Sequence, residues 1–201
     1  MPYSKYLFDL DGVLVDTCEI QINATKEAIY EIAEVHVDDP ILDSTIITLA
    51  KLEYLSEKGV INEEHINDIY DLKKKKTDQY FETIPLDEDK VELFTYLKEQ
   101  GHTIGVVTNG NHKSAEFFMK KMKLYDHIDL FLTSNNYKYS KPHSEPYIRA
   151  ICHFGGSLED YIIFEDSEIG LQAARGTGAH VHHVKNVKDV TIDLIKCLNK
   201  S

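Results

Sequence analysis

The sequence predicts an α/β fold, a doubly wound parallel sheet with a small helical domain inserted after the first strand. Three observations predict it. Short apolar runs alternate with helical patterns along the 201 residues. Three of those runs, "YLFDL" (6–10), "TIGVVT" (103–108) and "YIIFE" (161–165), are almost continuously apolar, as strands buried on both faces of a parallel sheet are. Roughly 90 residues separate the first strand from the second, far more than one crossover helix needs.

Taken in order, the strand at 6–10 leads into "DTCE" (16–19), a capping box with Asp16 as N-cap and Glu19 reaching back. Residues 17–84 then read as helices near 17–35, 43–57 and 63–82, with turns at Asp38-Asp39-Pro40 and Gly59. Beyond them come a helix at 87–100, the strand at 103–108, a helix at 112–123 and a strand "HIDLFLT" (127–133). A helix at 144–153, the strand at 161–165, a helix at 168–175, a weaker strand "HVHHV" (180–184) and a helix at 188–199 finish the chain. The expected division is an α/β core of 1–16 and 85–201 around a helical domain of 17–84. There is no internal repeat and no low-complexity segment.

Composition sets outer limits on function. Hydrophobic residues are 42% and charged residues 28%, the balance of a soluble globular protein. A formal net charge of −12 lacks the basic footprint of a nucleic-acid binder. The lysine run 73–76 reads as a solvated helix face. Cys18, Cys152 and Cys197 are too few and too scattered for a disulfide framework, which suits a reducing compartment. "MPYSKYLFDL" has no signal-peptide layout, and no apolar run approaches the roughly 20 residues that span a bilayer. The expectation is a cytoplasmic protein without membrane or nucleic-acid partners.

The polar residues collect where the apolar runs stop. The first ends in Asp9 and Asp11, the second in Thr108-Asn109-Gly110, the fourth in Glu165-Asp166. Ligands of open α/β sheets bind beyond the carboxyl ends of the strands, so one crevice receives four carboxylates, a hydroxyl and an amide. Carboxylates that close repel unless a cation compensates, and an all-oxygen ligand set suggests Mg²⁺. A lone Asp at a strand end is ordinarily a turn residue or cap. A calcium loop beginning at Asp9 fails on spacing, because Val13, Leu14 and Ile20 stand where ligands and glycine are needed. His180, His182 and His183 do not make a zinc site: on a strand His183 points away from the other two, and no cysteine or acid sits at ligand spacing.

Four stretches carry a resemblance. "FDLDGVLVDT", "VVTN", "KPHSEPY" and "IFEDSEIGLQAA" are similar, in order and spacing, to the four motifs of the haloacid dehalogenase-like hydrolase superfamily. The long helical interval resembles the cap of its β-phosphoglucomutase and phosphoglycolate phosphatase branch, which implies a Rossmann-like core. The resemblance implies that Asp9 is the nucleophile, forming an aspartyl-phosphate, and that Asp11 is the general acid and then the base. It implies that Thr108, with backbone N–H groups of Asn109 and Gly110, holds the phosphoryl oxygens. Lys141 would bring a fixed positive charge to the nucleophile and the phosphoryl group, and Asp9, the Asp11 carbonyl, Glu165 and Asp166 would hold Mg²⁺. An acid at position 11 suits an alkoxide leaving group, which points to phosphate esters.

A Mg²⁺-dependent phosphatase acting on a small phosphomonoester is therefore expected, as a monomer. A sugar-phosphate mutase is the first alternative. It must grip a second phosphate, for which arginine is suited, yet Arg149 and Arg175 both lie outside 17–84, and Gln21 stands near the place of the mutases' histidine. Lys51 or Lys58 could substitute for arginine there. The second alternative is a non-catalytic binding protein on the same fold.

Overall fold

The computed structural model describes residues 3–44 and 47–200. The chain divides into two units, residues 1–16 with 86–201 and residues 17–85.

The first unit is built on a five-stranded sheet in the order β3-β2-β1-β4-β5, every pairing parallel. Its strands are β1 (Lys5–Phe8), β2 (Thr103–Val107), β3 (Leu130–Leu132), β4 (Tyr161–Glu165) and β5 (His180–His183). The three central strands β2, β1 and β4 are the continuously apolar ones. Leu7 and Phe8 are both fully buried although they point to opposite faces, which requires a layer on each side. On the Leu7 face, Tyr147 and Ala150 of α6 (Glu145–Phe154) and Ala173 and Ala174 of α7 (Glu168–Arg175) share one core cluster with Val107 and Ile163. On the other face Phe8 stacks on Phe164 at 4.8 Å and meets Phe94 of α4 (Glu88–Glu99) at 5.3 Å. Each such buried aromatic contributes about 1.5–3 kcal/mol by leaving water.

Side-chain caps start the helices of this unit where the sequence turns polar. Asp87 accepts from Lys90 N–H for α4, and Asn111 from Ser114 N–H for α5 (His112–Lys121). Ser167 accepts from Gly170 N–H for α7, and Thr191 from Leu194 N–H for α8 (Ile192–Leu198). The second unit is helical: α1 (Cys18–Ala33), α2 (Thr48–Glu57) and α3 (Ile66–Phe81) enclose a core of Ala28, Ile29, Leu42, Leu52, Leu55 and Ile69.

Several expected elements are corrected. The helix expected at 43–57 starts at Thr48, because Pro40–Asp43 forms a 3₁₀ turn capped by the Asp39 side chain; residues 45 and 46 lie outside the described residues. The N-cap of α1 is Thr17, not Asp16, and no side-chain cap bond is present. The strand expected at 127–133 keeps only Leu130–Leu132, since Tyr125–His127 closes a 3₁₀ turn. The helix expected at 188–199 is a 3₁₀ turn, Val187–Asp189, followed by α8. The lysine run is not a uniformly solvated face. Lys73 is buried and donates to Gln21 Oε1, and Lys76 pairs with Glu27 and Glu31, all on α1. Among the described residues no helix is long and apolar enough to cross a membrane.

Candidate active site

The strand order places β1 beside β4, where the chain stops adding strands on one side of β1 and begins on the other. That boundary is the topological switch point, where the crevice of an open α/β sheet opens. Asp9 follows β1 directly, Thr108 follows β2, and Glu165 closes β4 with Asp166 next. The ladder holds these residues although the first two lie past the strands. Asp9 N–H donates to Phe164 O at 3.0 Å, Thr108 N–H to Leu132 O at 2.9 Å, and Val184 N–H to Glu165 O at 2.7 Å.

After Asp9 the chain turns back on itself. Gly12 N–H donates to Val15 O at 2.7 Å, and Asp11 bridges Val15. Gly12 has φ +76°, and a Cβ there would sit 2.0 Å from Asp166 Oδ2. Glycine is therefore needed twice, for the backbone conformation and for the approach of Asp166. Gly170 plays the same part in α7: its Cβ would lie 2.0 Å from Glu165 Oε2.

Lys141 ties the cluster together. Its Nζ donates to Asp9 Oδ1 at 2.7 Å, to Glu165 Oε1 at 2.5 Å and to Val107 O at 2.8 Å. An ammonium has three protons, and all three have acceptors here. Glu165 Oε1 also accepts from the buried Tyr147 hydroxyl, while Glu165 Oε2 is buried without a hydrogen-bond partner among the described residues.

The electrostatics follow from burial. Burial would lower the Lys141 ammonium, but the charges of Asp9 and Glu165 outweigh it and hold its pKa above the usual value. Glu165 is raised by burial and by the charge of Asp9, with Lys141 pulling it back. Asp166 is pushed up to about 6, first by burial and then by Asp9, with Asp11 adding a smaller push. Carboxylates with raised pKa values beside one another are held in a state that a cation would relieve.

The Thr108 loop differs in detail from the expectation. Gly110 N–H donates to Thr108 Oγ1 at 3.0 Å. The Asn109 side chain faces the backbone of Lys141, accepting from its N–H at 3.1 Å and donating to its C=O at 3.2 Å. Two site residues have no role in the sequence reading, Tyr137 and Tyr147. Tyr147 ends the motif "KPHSEPY" but falls on the apolar face of α6, and Tyr137 lies in a loop outside every motif. Tyr137 OH lies 2.6 Å from Thr108 O and 3.1 Å from Asn109 Oδ1.

Asp9, Glu165 and Asp166 each offer an oxygen, and these atoms lie within 4.8 Å of one another. Two oxygens on opposite sides of one Mg²⁺ are about 4 Å apart, given bonds of 2.0–2.1 Å. An all-oxygen donor set, an orphaned buried carboxylate oxygen and two raised carboxylates fit a hard divalent cation. Among the described residues this is the group of three or more such side chains that comes together, and no histidine belongs to it.

Residues 6–184 match the sequence profile of the family described as haloacid dehalogenase-like hydrolase. The chain belongs to that family. A relative named pyrophosphatase PpaX, from Bacillus cereus strain AH820, is 23% identical over 179 residues, 89% of this chain and 81% of its own. The β-phosphoglucomutase of Clostridium difficile superposes with a TM-score of 0.78 at 18% identity, covering 98% of this chain and 97% of that one. A predicted phosphoglycolate phosphatase of Haemophilus somnus gives 0.79 at 18% identity, covering 96% and 91%. These two structures share the fold of this chain.

Proposed function

We propose that this hydrolase is a Mg²⁺-dependent phosphatase that cleaves a small phosphate ester in the cytoplasm through an aspartyl-phosphate on Asp9. One observation carries the reading: Asp9 is held by Lys141 at the switch point, with Asp166 and Glu165 beside it and Asp11 two residues on.

An Asp9 carboxylate oxygen attacks phosphorus while the bond from phosphorus to the leaving oxygen breaks, and Asp11 gives that oxygen a proton. Water then attacks the phosphorus, Asp11 takes the water's proton, and Asp9 is regenerated as phosphate leaves. Lys141 fixes the rotation of the Asp9 carboxylate through Oδ1. Its three protons are in use, so it acts on the nucleophile and on Glu165 and not as a direct phosphate ligand. The Thr108 hydroxyl, accepting from Gly110 N–H, can turn its own proton to a phosphoryl oxygen. Asp9, Asp166 and the Asp11 carbonyl would hold Mg²⁺, with Glu165 Oε2 completing the charge. The cation supplies positive charge against the negative charge of carboxylates and phosphate.

The pyrophosphatase name among the relatives adds an anhydride to the candidate substrates. Its leaving group is better than an alkoxide and needs less help from Asp11. For the mutase alternative, Arg149 and Arg175 sit on helices of the sheet unit with Glu145 and Glu168 as partners. The test is phosphate release from a panel of sugar phosphates, phosphoglycolate, nucleotides and pyrophosphate, with and without Mg²⁺. Mg²⁺-dependent release of free phosphate supports the reading. An isomerised sugar phosphate with little free phosphate would replace it with a mutase, and no turnover of any ester with a non-catalytic protein.

A further inference from the structure

We propose that Tyr137 is a positioning residue, whose phenol sets the Thr108 loop and, through the Asn109 carboxamide, the backbone from which Lys141 reaches Asp9. The proposal rests on the reading of Asp9 as the nucleophile. Tyr137 is almost wholly buried, and its single hydroxyl proton is shared between Thr108 O at 2.6 Å and Asn109 Oδ1 at 3.1 Å. Asn109 in turn occupies both backbone groups of Lys141, at 3.1 Å and 3.2 Å. The last link is Lys141 Nζ on Asp9 Oδ1 at 2.7 Å. Two stretches distant in sequence, 108–109 and 137–141, are thus joined by one hydroxyl and one carboxamide. Both lie between the residue that faces the phosphoryl group and the residue that aims the nucleophile.

Removing the Tyr137 hydroxyl keeps the ring and its packing but frees the carboxamide. Small misplacements of aligned groups are costly, up to about a hundredfold for 1 Å. Tyr137→Phe is therefore expected to lower kcat about tenfold to a hundredfold while KM stays within about twofold. Tyr161→Phe is the control. It removes a buried phenol whose bonds go to Ile151 O and Gly155 O, away from the acid cluster, and should lower Tm with kcat unchanged. Asn109→Ala should lower kcat at least as far, and the Tyr137→Phe/Asn109→Ala double variant no further than Asn109→Ala alone, because the two groups act in series.

The side-chain amide of Asn109, followed by NMR, reads the same link without turnover. Its protons should exchange slowly in the wild type and quickly in Tyr137→Phe. Absence of phosphate release by the wild type would defeat the phosphatase reading, and the amide exchange would still decide the positioning role. Unchanged exchange in Tyr137→Phe overturns the proposal. So does a kcat no lower than that of Tyr161→Phe, or additive losses in the double variant.

Discussion

Lys141 Nζ and Asp9 Oδ1 meet at 2.7 Å with their side chains 3% and 11% exposed, so the nucleophile candidate and its counter-charge are both nearly out of water. Glu165, fully buried, completes the triangle. Breaking such a buried set from one side leaves uncompensated charge.

Lys141→Met is expected to destabilise the protein by about 3–5 kcal/mol at pH 8. The loss should shrink toward pH 5. Glu165 already has a raised folded pKa, so the folded state binds its proton more tightly than the unfolded state does, and stability falls as pH rises through that pKa. Without Lys141 the pKa rises further, and the penalty is largest above it. Urea unfolding at the two pH values measures this, and an equal loss at both would contradict it.

Gly170→Ala sets helix propensity against the site. Gly170 lies inside α7, where alanine ordinarily gains about 1 kcal/mol. Its Cβ would strike Glu165 Oε2. The expected outcome is a lower Tm and weaker Mg²⁺ binding; a higher Tm would mean that Glu165 is not held as described.

Mg²⁺ affinity should climb with pH. Asp166, at about 6 without the cation, is mostly protonated at pH 5, and a cation binds the ionised form. Affinity by calorimetry is expected to rise from pH 5 to about pH 8, as Asp166 and then Glu165, raised to about 7, ionise, and then to level, with proton release on binding between those values. A flat profile would rule out Asp166 as a ligand.

Asp11→Asn should lower kcat/KM by about 10²–10⁴ on alkyl phosphates. The loss in kcat/KM, which ends at phosphoryl transfer to Asp9 and excludes the water step, should be much smaller on p-nitrophenyl phosphate, whose leaving group needs no proton. A uniform loss in kcat/KM across leaving groups would remove Asp11 from the acid role.

Much of this was legible in the sequence where one residue type has one physical reason to be there. The strands around Leu7, Val106 and Ile163 read correctly because burial on both faces forbids polar residues. The acids at 9, 11, 165 and 166 stood out because nothing in a buried strand accounts for them. What stayed hidden depends on partners distant in the chain. Lys73 read as solvated because its partner Gln21 lies on another helix. Tyr137, and Tyr147 at the end of the motif "KPHSEPY", were given no role because an aromatic's hydroxyl leaves no mark on periodicity. Asn109 was read for its backbone, while its side chain turns to Lys141. The start of α1 was misread by one residue, since Asp16 fits a cap pattern that the backbone at Thr17 does not use.

The most direct measurement is phosphate release at saturating Mg²⁺ by the wild type and by Asp9→Asn, with both shown folded by circular dichroism. The prediction is Mg²⁺-dependent release that falls by about three orders of magnitude or more in the variant. A folded Asp9→Asn protein that keeps more than a few per cent of the activity would show that the phosphoryl group does not pass through Asp9.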